Sequence, residues 1–233
     1  MPMRKTFAIL TVLVLVTSPG QAQDKVRKSV FGANAGVSIP INEFAYHTFT
    51  YDAGFASPGP MLEAEYLYYG KFFGFSSSIG YSGFFFNENA YRSEYDRTLG
   101  GYGTNDVSAG NYQVIKFLAG FTLKIPEINH TEVMLLFHLG YAACFHPELR
   151  VTNSELGLIN SVARNKGGSP VANAGLKINY WLNERYGVSL NGSVTTTEPS
   201  FGDATGPGRS FNMLMNYTSV NVGFIMNLKT PSL

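Results

Sequence analysis

Residues 218–228 read TSVNVGFIMNL, and their pattern decides how the rest of the chain is interpreted. Val220, Val222 and Phe224 share one parity, whereas Ser219 and Asn221 fall on the other. Successive side chains of a β-strand point to opposite sides, so strict alternation predicts a strand with one apolar and one polar face.

Seven earlier segments show the same alternation, as in Phe31 to Ile39 and in Val133 to Tyr141. The predicted connections between the eight segments are residues 41–60, 70–71, 87–110, 126–131, 146–169, 183–185 and 198–216. Long and short connections alternate without exception. This is typical of outer-membrane barrels, which have short periplasmic turns and long extracellular loops.

Charged residues give the sharpest test, because a charged side chain facing lipid at mid-membrane costs about 2–4 kcal/mol. The charged residues inside the eight segments all fall on the polar parity: Glu63, Glu65, Lys116, Lys124, Glu132 and Lys177. Gly, Ser and Asn dominate the rest of that parity, as expected for a narrow interior packed with side chains. The sequence therefore predicts an all-β fold, an eight-stranded antiparallel up-and-down transmembrane β-barrel.

The N-terminus reads as a targeting segment. Arg4 and Lys5 precede the apolar residues 7–16, which are too few to span a bilayer as a helix, and small residues lead up to Ala22. We expect cleavage after Ala22, so that residues 1–22 are a signal peptide and residues 23–233 form the barrel domain.

The composition excludes several classes of function. Without Arg4 and Lys5 the 17 basic residues fall to 15 against 16 acidic ones, which leaves no net positive charge to attract nucleic acid. Charged residues make up only 14% of the chain, whereas about 25% is usual for soluble domains. The single cysteine, Cys144, can form no internal disulfide bond.

Aromatic residues cluster near the ends of the predicted strands, where amphipathic rings favour the level of the lipid headgroups. Those beside short turns are Tyr66, Tyr68, Tyr69, Phe72, Phe73, Tyr180, Trp181 and Tyr186. Those beside long connections are Phe84, Phe85, Phe86, Tyr112, Tyr141, Phe145 and Tyr217. We expect two girdles on the outer surface.

Asn221, Gly223, Met226 and Leu228 follow the pattern polar-x-Gly-x-x-apolar-x-apolar in the final segment. On these residues the chain resembles the small outer-membrane β-barrel domain family, of the PorT-like kind. The resemblance implies the outer membrane of a Gram-negative cell as location, and the barrel-assembly machinery as a partner during biogenesis. The chain departs from many such proteins because residues 229–233 follow the strand and no terminal Phe is present.

The candidate site residues form a lumenal charge network. Glu63 and Glu65 are expected to face the same interior as Lys116, Lys124 and Lys177, where unpaired charges are costly, so we expect structural ion pairs. His47, His130, His138 and His146 show no metal-ligand spacing. The sequence thus predicts no catalytic residue, no metal and no cofactor.

Three functions remain open. The favoured one is a non-enzymatic, porin-like integral outer-membrane barrel that has a filled lumen and is surrounded by lipid. Its role would be structural, adhesive, or related to assembly or secretion. The alternatives are a soluble secreted lipocalin-like carrier, whose apolar faces would point inward, and an outer-membrane lipid-modifying enzyme. The stretch 91–110 is either a recognition loop or a solvated loop without a partner.

Overall fold

The computed structural model describes residues 28–49, 53–99, 102–128, 130–202 and 210–228, so the predicted signal peptide lies outside the described residues. Eight long strands are present within these ranges. They are β1 (Lys28–Ile41), β2 (Gly59–Tyr69), β3 (Phe73–Phe86), β4 (Tyr112–Ile128), β5 (Thr131–His146), β6 (Asn165–Trp181), β7 (Tyr186–Thr197) and β8 (Met215–Asn227).

Each of these strands pairs antiparallel with its neighbours in the chain. The last strand, β8, pairs with β1 from Val30 opposite Asn227 to Ile41 opposite Asn216, which closes the sheet. Closure leaves no unpaired strand edge, as a sheet surrounded by lipid requires. The predicted eight-stranded up-and-down barrel is confirmed.

The two faces of every barrel strand have the parity that the sequence predicts. Val220 and Phe224 are half-exposed on the outside and Leu139 is 71% exposed, whereas Ser219 and Asn221 are buried in the lumen. The exterior is therefore apolar, as in barrels that stand in lipid. The lipocalin-like alternative is wrong, because it requires the apolar faces to point inward.

No helix among the described residues is both long and apolar enough to cross a membrane. Two helical elements occur in the described ranges, and both belong to the connections between strands: a 3-10 turn, Asn42–Ala45, and an α-helix, α1, Glu88–Leu99.

We call the end of the barrel with the short connections the turn end, and the opposite end the loop end. The short connections are 70–72, 129–130 and 182–185, and the long ones are loop 1 (42–58), loop 2 (87–111), loop 3 (147–164) and loop 4 (198–214). The alternation of lengths is as predicted. The turn predicted at 126–131 is wrong in extent, because β4 continues to Ile128 through an irregular register after Ile125. The sequence has Pro126 at this point, and proline is tolerated in a strand at such irregularities.

The loops have ordered structure of their own. Strands Asn105–Ala109 of loop 2 and Leu149–Asn153 and Gly157–Val162 of loop 3 form a second, three-stranded sheet. Short pairs also link Ala56–Ser57 to β3, and Ser200–Gly202 to both β6 and Ser210–Asn212. The loop end is thus a folded structure resting on the barrel.

The lumen has a polar middle flanked by two apolar layers. Along β2 the inward residues run Tyr69, Leu67, Glu65, Glu63 and Met61 from the turn end. The turn-end layer consists of Val30, Leu67, Tyr69, Met134, Leu136, Trp181 and Ile225. The loop-end layer consists of Phe44, Ala56, Phe84, Tyr112, Val114, Leu118, Ala142, Cys144, Val171, Phe201, Met213, Met215 and Tyr217.

These layers correct the expectation of two outer aromatic girdles. Several rings near strand ends point inward and are buried: Tyr69, Trp181, Phe84, Tyr112 and Tyr217. Others of the predicted set, including Tyr66, Phe73, Tyr141 and Tyr180, are exposed on the outside. Position near a strand end does not fix the face of the ring, since parity decides it.

Leu139→Lys should destabilise the barrel by about 2–4 kcal/mol, because it places a charge on the lipid-facing surface near the middle of β5. Leu156→Lys is the matched control, since Leu156 is 62% exposed but lies in loop 3; it should change the stability by less than about 0.5 kcal/mol. Urea unfolding in phospholipid vesicles measures both. Equal costs for the two variants would contradict a lipid-facing exterior.

Candidate functional sites in the lumen and at the loop end

Glu65 and Lys177 form an ion pair in the polar middle of the lumen, where both are buried. The Lys177 ammonium donates to Oε1 of Glu65, and Nδ2 of Asn34 donates to the same oxygen at 3.0 Å. The Ser189 hydroxyl in turn donates to Oδ1 of Asn34 at 2.9 Å. This cluster joins β1, β2, β6 and β7 across the interior.

Glu63 pairs with Lys116 in the same polar region. The Nζ atom of Lys116 lies 3.6 Å from Oε2 of Glu63 and 5.6 Å from the ring centre of Tyr217. Lys116 is fully buried. A charged group without solvent is tolerated only when opposite charge and polarisable groups surround it.

Lys124, the fifth residue of the predicted network, lies at the turn end with a different carboxylate. Its Nζ atom is 2.6 Å from Oε1 of Glu132, and Nζ of Lys28 is 2.9 Å from the same oxygen. The Tyr69 hydroxyl donates to Oε2 of Glu132 at 2.7 Å. The sequence prediction places Glu132 on the polar parity without assigning it to the network, although that parity could have signalled it.

A third hydrogen-bonded group crosses the middle of the lumen. Nε2 of His138 lies 2.6 Å from the Ser76 hydroxyl, and Nδ1 lies 3.4 Å from Oδ1 of Asn173. Ser76 also contacts the Thr122 hydroxyl at 2.9 Å, and Asn173 donates to Thr195 at 2.8 Å. Sequence reasoning misses this group, because its members lie on different strands with no shared motif.

A serine, a histidine and an amide in this order resemble the parts of a hydrolytic triad. Ser76 is only 2% exposed, however, and its hydroxyl is engaged by both His138 and Thr122. A nucleophile needs room for a substrate carbonyl beside it. Here the space is occupied, so the arrangement acts as a cross-strand hydrogen-bond network.

The predicted final-strand signal is split between the two faces of β8. Asn221 and Gly223 face the lumen, Met226 faces outward, and Leu228 is half-exposed just beyond the strand. A Cβ atom on Gly223 would overlap Oδ1 of Asn34. Gly223 therefore has a packing role beside the ion pair, and the assembly signal itself stays a prediction.

The remaining candidates lie apart from one another. His47 is 3.5 Å from Asn87 in the loops, His130 occupies a turn with a φ of 66°, and Cys144 is buried in the loop-end layer. Across the ranges that the structure describes, no group of three or more His, Cys, Asp or Glu could hold a metal ion.

The loop-2 helix α1 is fixed to the three-stranded sheet by polar contacts. Oε1 of Glu88 accepts from the Ala109 amide at 2.7 Å, and Asn105 donates to Asp96 at 2.7 Å. Tyr91 packs against the core of the same sheet, and burial there raises the pKa of its hydroxyl. At the exposed surface, a hydrogen bond from Arg97 lowers the pKa of Glu94.

The tip of loop 3 contacts the middle of loop 2, and both expose apolar side chains there. Nδ2 of Asn153 donates to the carbonyl of Tyr102 at 2.7 Å, and Oδ1 accepts from the amides of Glu155 and Leu156. Tyr102, Leu156 and Leu158 are 71%, 62% and 60% exposed. We call these three residues the apolar tip.

Comparison with known proteins gives structural likeness only. No protein-family model matches the chain, and no curated protein matches it in sequence. Among solved structures, a major outer membrane protein from Thermus thermophilus has a TM-score of 0.48 at 11% identity, covering 87% of this chain and 100% of that one. Neisserial surface protein A (NspA) has a TM-score of 0.45 at 8% identity, covering 86% of this chain and 97% of that one. Ail, the attachment invasion locus protein of Yersinia pestis, has a TM-score of 0.42 at 11% identity, covering 85% and 97%.

Lys177→Met should destabilise the barrel by about 3–5 kcal/mol, because it leaves the Glu65 carboxylate buried without its partner. The double variant Glu65→Gln with Lys177→Met should recover most of that loss, since a neutral amide still accepts from Asn34. Lys71→Met, at an exposed turn position, is the control and should stay within about 0.5 kcal/mol of wild type. Chemical unfolding in lipid vesicles measures all three, and a double variant no better than Lys177→Met would refute the ion-pair argument.

Gly223→Ala should slow refolding and lower stability, because the added methyl group must displace Asn34 from Glu65. Gly192→Ala in the neighbouring β7 is the matched control, since its Cβ would meet nothing within 4 Å. The measurement is refolding from urea into detergent micelles, followed by heat-modifiable gel mobility. No assembly machinery is present in this assay, so it reports packing alone. If both variants fold alike there, the packing role of Gly223 is wrong.

Proposed function

We propose that this chain is an integral outer-membrane barrel that works in surface recognition or adhesion, with its loop end facing outward. The barrel acts as the anchor and the loops as the contact surface. The family resemblance to PorT-like proteins and the use of the barrel-assembly machinery belong to the same proposal, and the proposal includes no catalytic activity.

The observation that carries it is the folded loop end. Loops 2 and 3 share a sheet, and α1 is bonded to that sheet, so the loops hold one shape. The apolar tip lies on this structure, where one tyrosine ring and two leucine side chains face water. Exposed apolar groups held on a rigid support favour a contact surface for another molecule.

The filled lumen favours an anchor over a channel. Buried ion pairs and two apolar layers occupy the interior from end to end. An eight-stranded barrel is just wide enough for side chains to fill it. The Ser76–His138 pair does not support the lipid-modifying alternative, since the Ser76 hydroxyl is enclosed in the lumen.

The position of the apolar tip favours adhesion over a role in assembly or secretion. Outer-membrane barrels keep their short turns in the periplasm and their long loops outside. A periplasmic partner would meet the turn end, whose connections are short. The folded surface of this chain is at the opposite end.

Cells that display the variant Tyr102→Ser, Leu156→Ser, Leu158→Ser should adhere several-fold less than cells that display wild type. The loss is expected because the three changes remove the apolar contact area and leave the loop sheet paired. Retention on protein-coated surfaces and cell–cell clumping are the measurements, at equal surface density by antibody labelling.

Tyr46→Ser is the matched control, since Tyr46 is an exposed ring in loop 1. It should adhere like wild type. Equal adhesion by the triple variant and wild type, or no gain by wild type over cells that lack the protein, would contradict the proposed function.

A further inference from the structure

A cavity of about 220 Å³ lies at the loop end, partly open to the outside, directly above the loop-end layer. All four loops contribute to its wall. The principal lining side chains are Phe55, Phe86, Tyr91, Tyr112, His146 and Phe211. A concave space lined mainly by aromatic side chains is the usual form of a small-molecule binding site.

The wall is preformed because its rings brace one another. Phe55 lies 4.8 Å from Tyr91 and 6.1 Å from Phe86 between ring centres, and Phe86 lies 5.3 Å from Tyr91. The Tyr112 hydroxyl donates to the carbonyl of Gly54 at 2.8 Å, which fixes that ring as well. An occupant would therefore not have to order the site first, which favours binding.

His146 lines the cavity and has one ring nitrogen without a hydrogen-bond partner among the described residues. Its Nδ1 lies 2.9 Å from the carbonyl oxygen of Pro147, which can only accept, so Nδ1 carries the proton of the neutral ring. The other nitrogen, Nε2, has no hydrogen-bond partner in the part of the chain that the structure describes. Tyr112, Phe201 and Phe211 surround the ring at 5.3, 5.7 and 5.6 Å between centres and hold its orientation.

Size and chemistry together define the occupant. An apolar cavity of about 150 Å³ takes up benzene, so this larger one has room for a fused pair of rings. None of the side chains that line it carries a full charge when His146 is neutral, so a charged ligand would lose its hydration without compensation. A ligand with one N–H or O–H donor would satisfy Nε2 of His146.

We propose that this cavity is a binding site for a small, neutral, flat aromatic molecule of one or two rings with a single N–H or O–H donor. The donor bonds to Nε2 of His146, and the rings lie against Phe55, Phe86 and Tyr91. This binding is separate from adhesion through the apolar tip, which lies elsewhere on loops 2 and 3.

The test compares indole with indene, which has the same shape and lacks the N–H group. Isothermal titration calorimetry on the folded full-length mature barrel in zwitterionic detergent, with empty micelles as the blank, gives both affinities. We expect saturable one-to-one binding of indole, about tenfold tighter than that of indene, because indene leaves Nε2 without a partner.

Two variants distinguish the site from uptake into detergent. Val162→Phe fills the cavity from loop 3 and should weaken indole binding at least tenfold, with Leu149→Phe as a second filling variant. His146→Phe keeps a ring in place and should bind indole and indene equally. Heat-modifiable gel mobility checks that each variant is folded.

The wild-type comparison stands without any variant. No saturable binding above empty micelles, or equal binding by wild type and both filling variants, would overturn the site. Equal affinities of wild type for indole and indene would overturn the role of His146. None of these results depends on whether cells adhere, so failure here is distinct from failure of the proposed function.

Discussion

Main-chain hydrogen bonds between β1 and β8 close the sheet, and the rest of the molecule depends on that closure. Once the sheet has no edge, the strands can present apolar side chains to lipid, because no peptide group is left without a partner. Closure also encloses half of the side chains in a narrow lumen. A charged group on that side then needs an opposite charge inside, which explains the pairing of Glu65 with Lys177 and of Glu132 with Lys28 and Lys124.

The barrel reverses the arrangement of a soluble protein, because its polar groups lie in the interior and its apolar groups face the lipid. Apolar layers at both ends separate the polar middle from water. Ion pairs enclosed in this way interact more strongly than exposed ones, and each partner becomes hard to remove alone. The lumen thereby ties strands that are far apart in sequence, as Glu65 of β2 and Lys177 of β6 show.

The barrel could be predicted from the sequence because a period of two is a local property. Alternation places Val220, Phe224 and Leu139 outside, and the structure agrees.

Which charged side chains pair in the lumen is not a local property, since it depends on the register between strands. For this reason the sequence groups Lys124 with Glu63 and Glu65, although its carboxylate is Glu132, and gives no sign of the Ser76–His138 contact. Trp181 is predicted on the outer surface from its position near a strand end, whereas its parity places the ring inside the lumen. The helix α1 and the second sheet fall in segments without periodicity.

The second sheet joins loops 2 and 3 through peptide groups, as in the pairing of Val107 with Val151. Such bonds form whatever the side chains are, provided that the inward residues Val107, Leu149 and Val151 keep their packing. The outward positions, among them Asp106 and Arg150, are exposed and contribute no core contact. Single substitutions at such outward positions can therefore change the charge of this surface while the main-chain pairing beneath it stays intact.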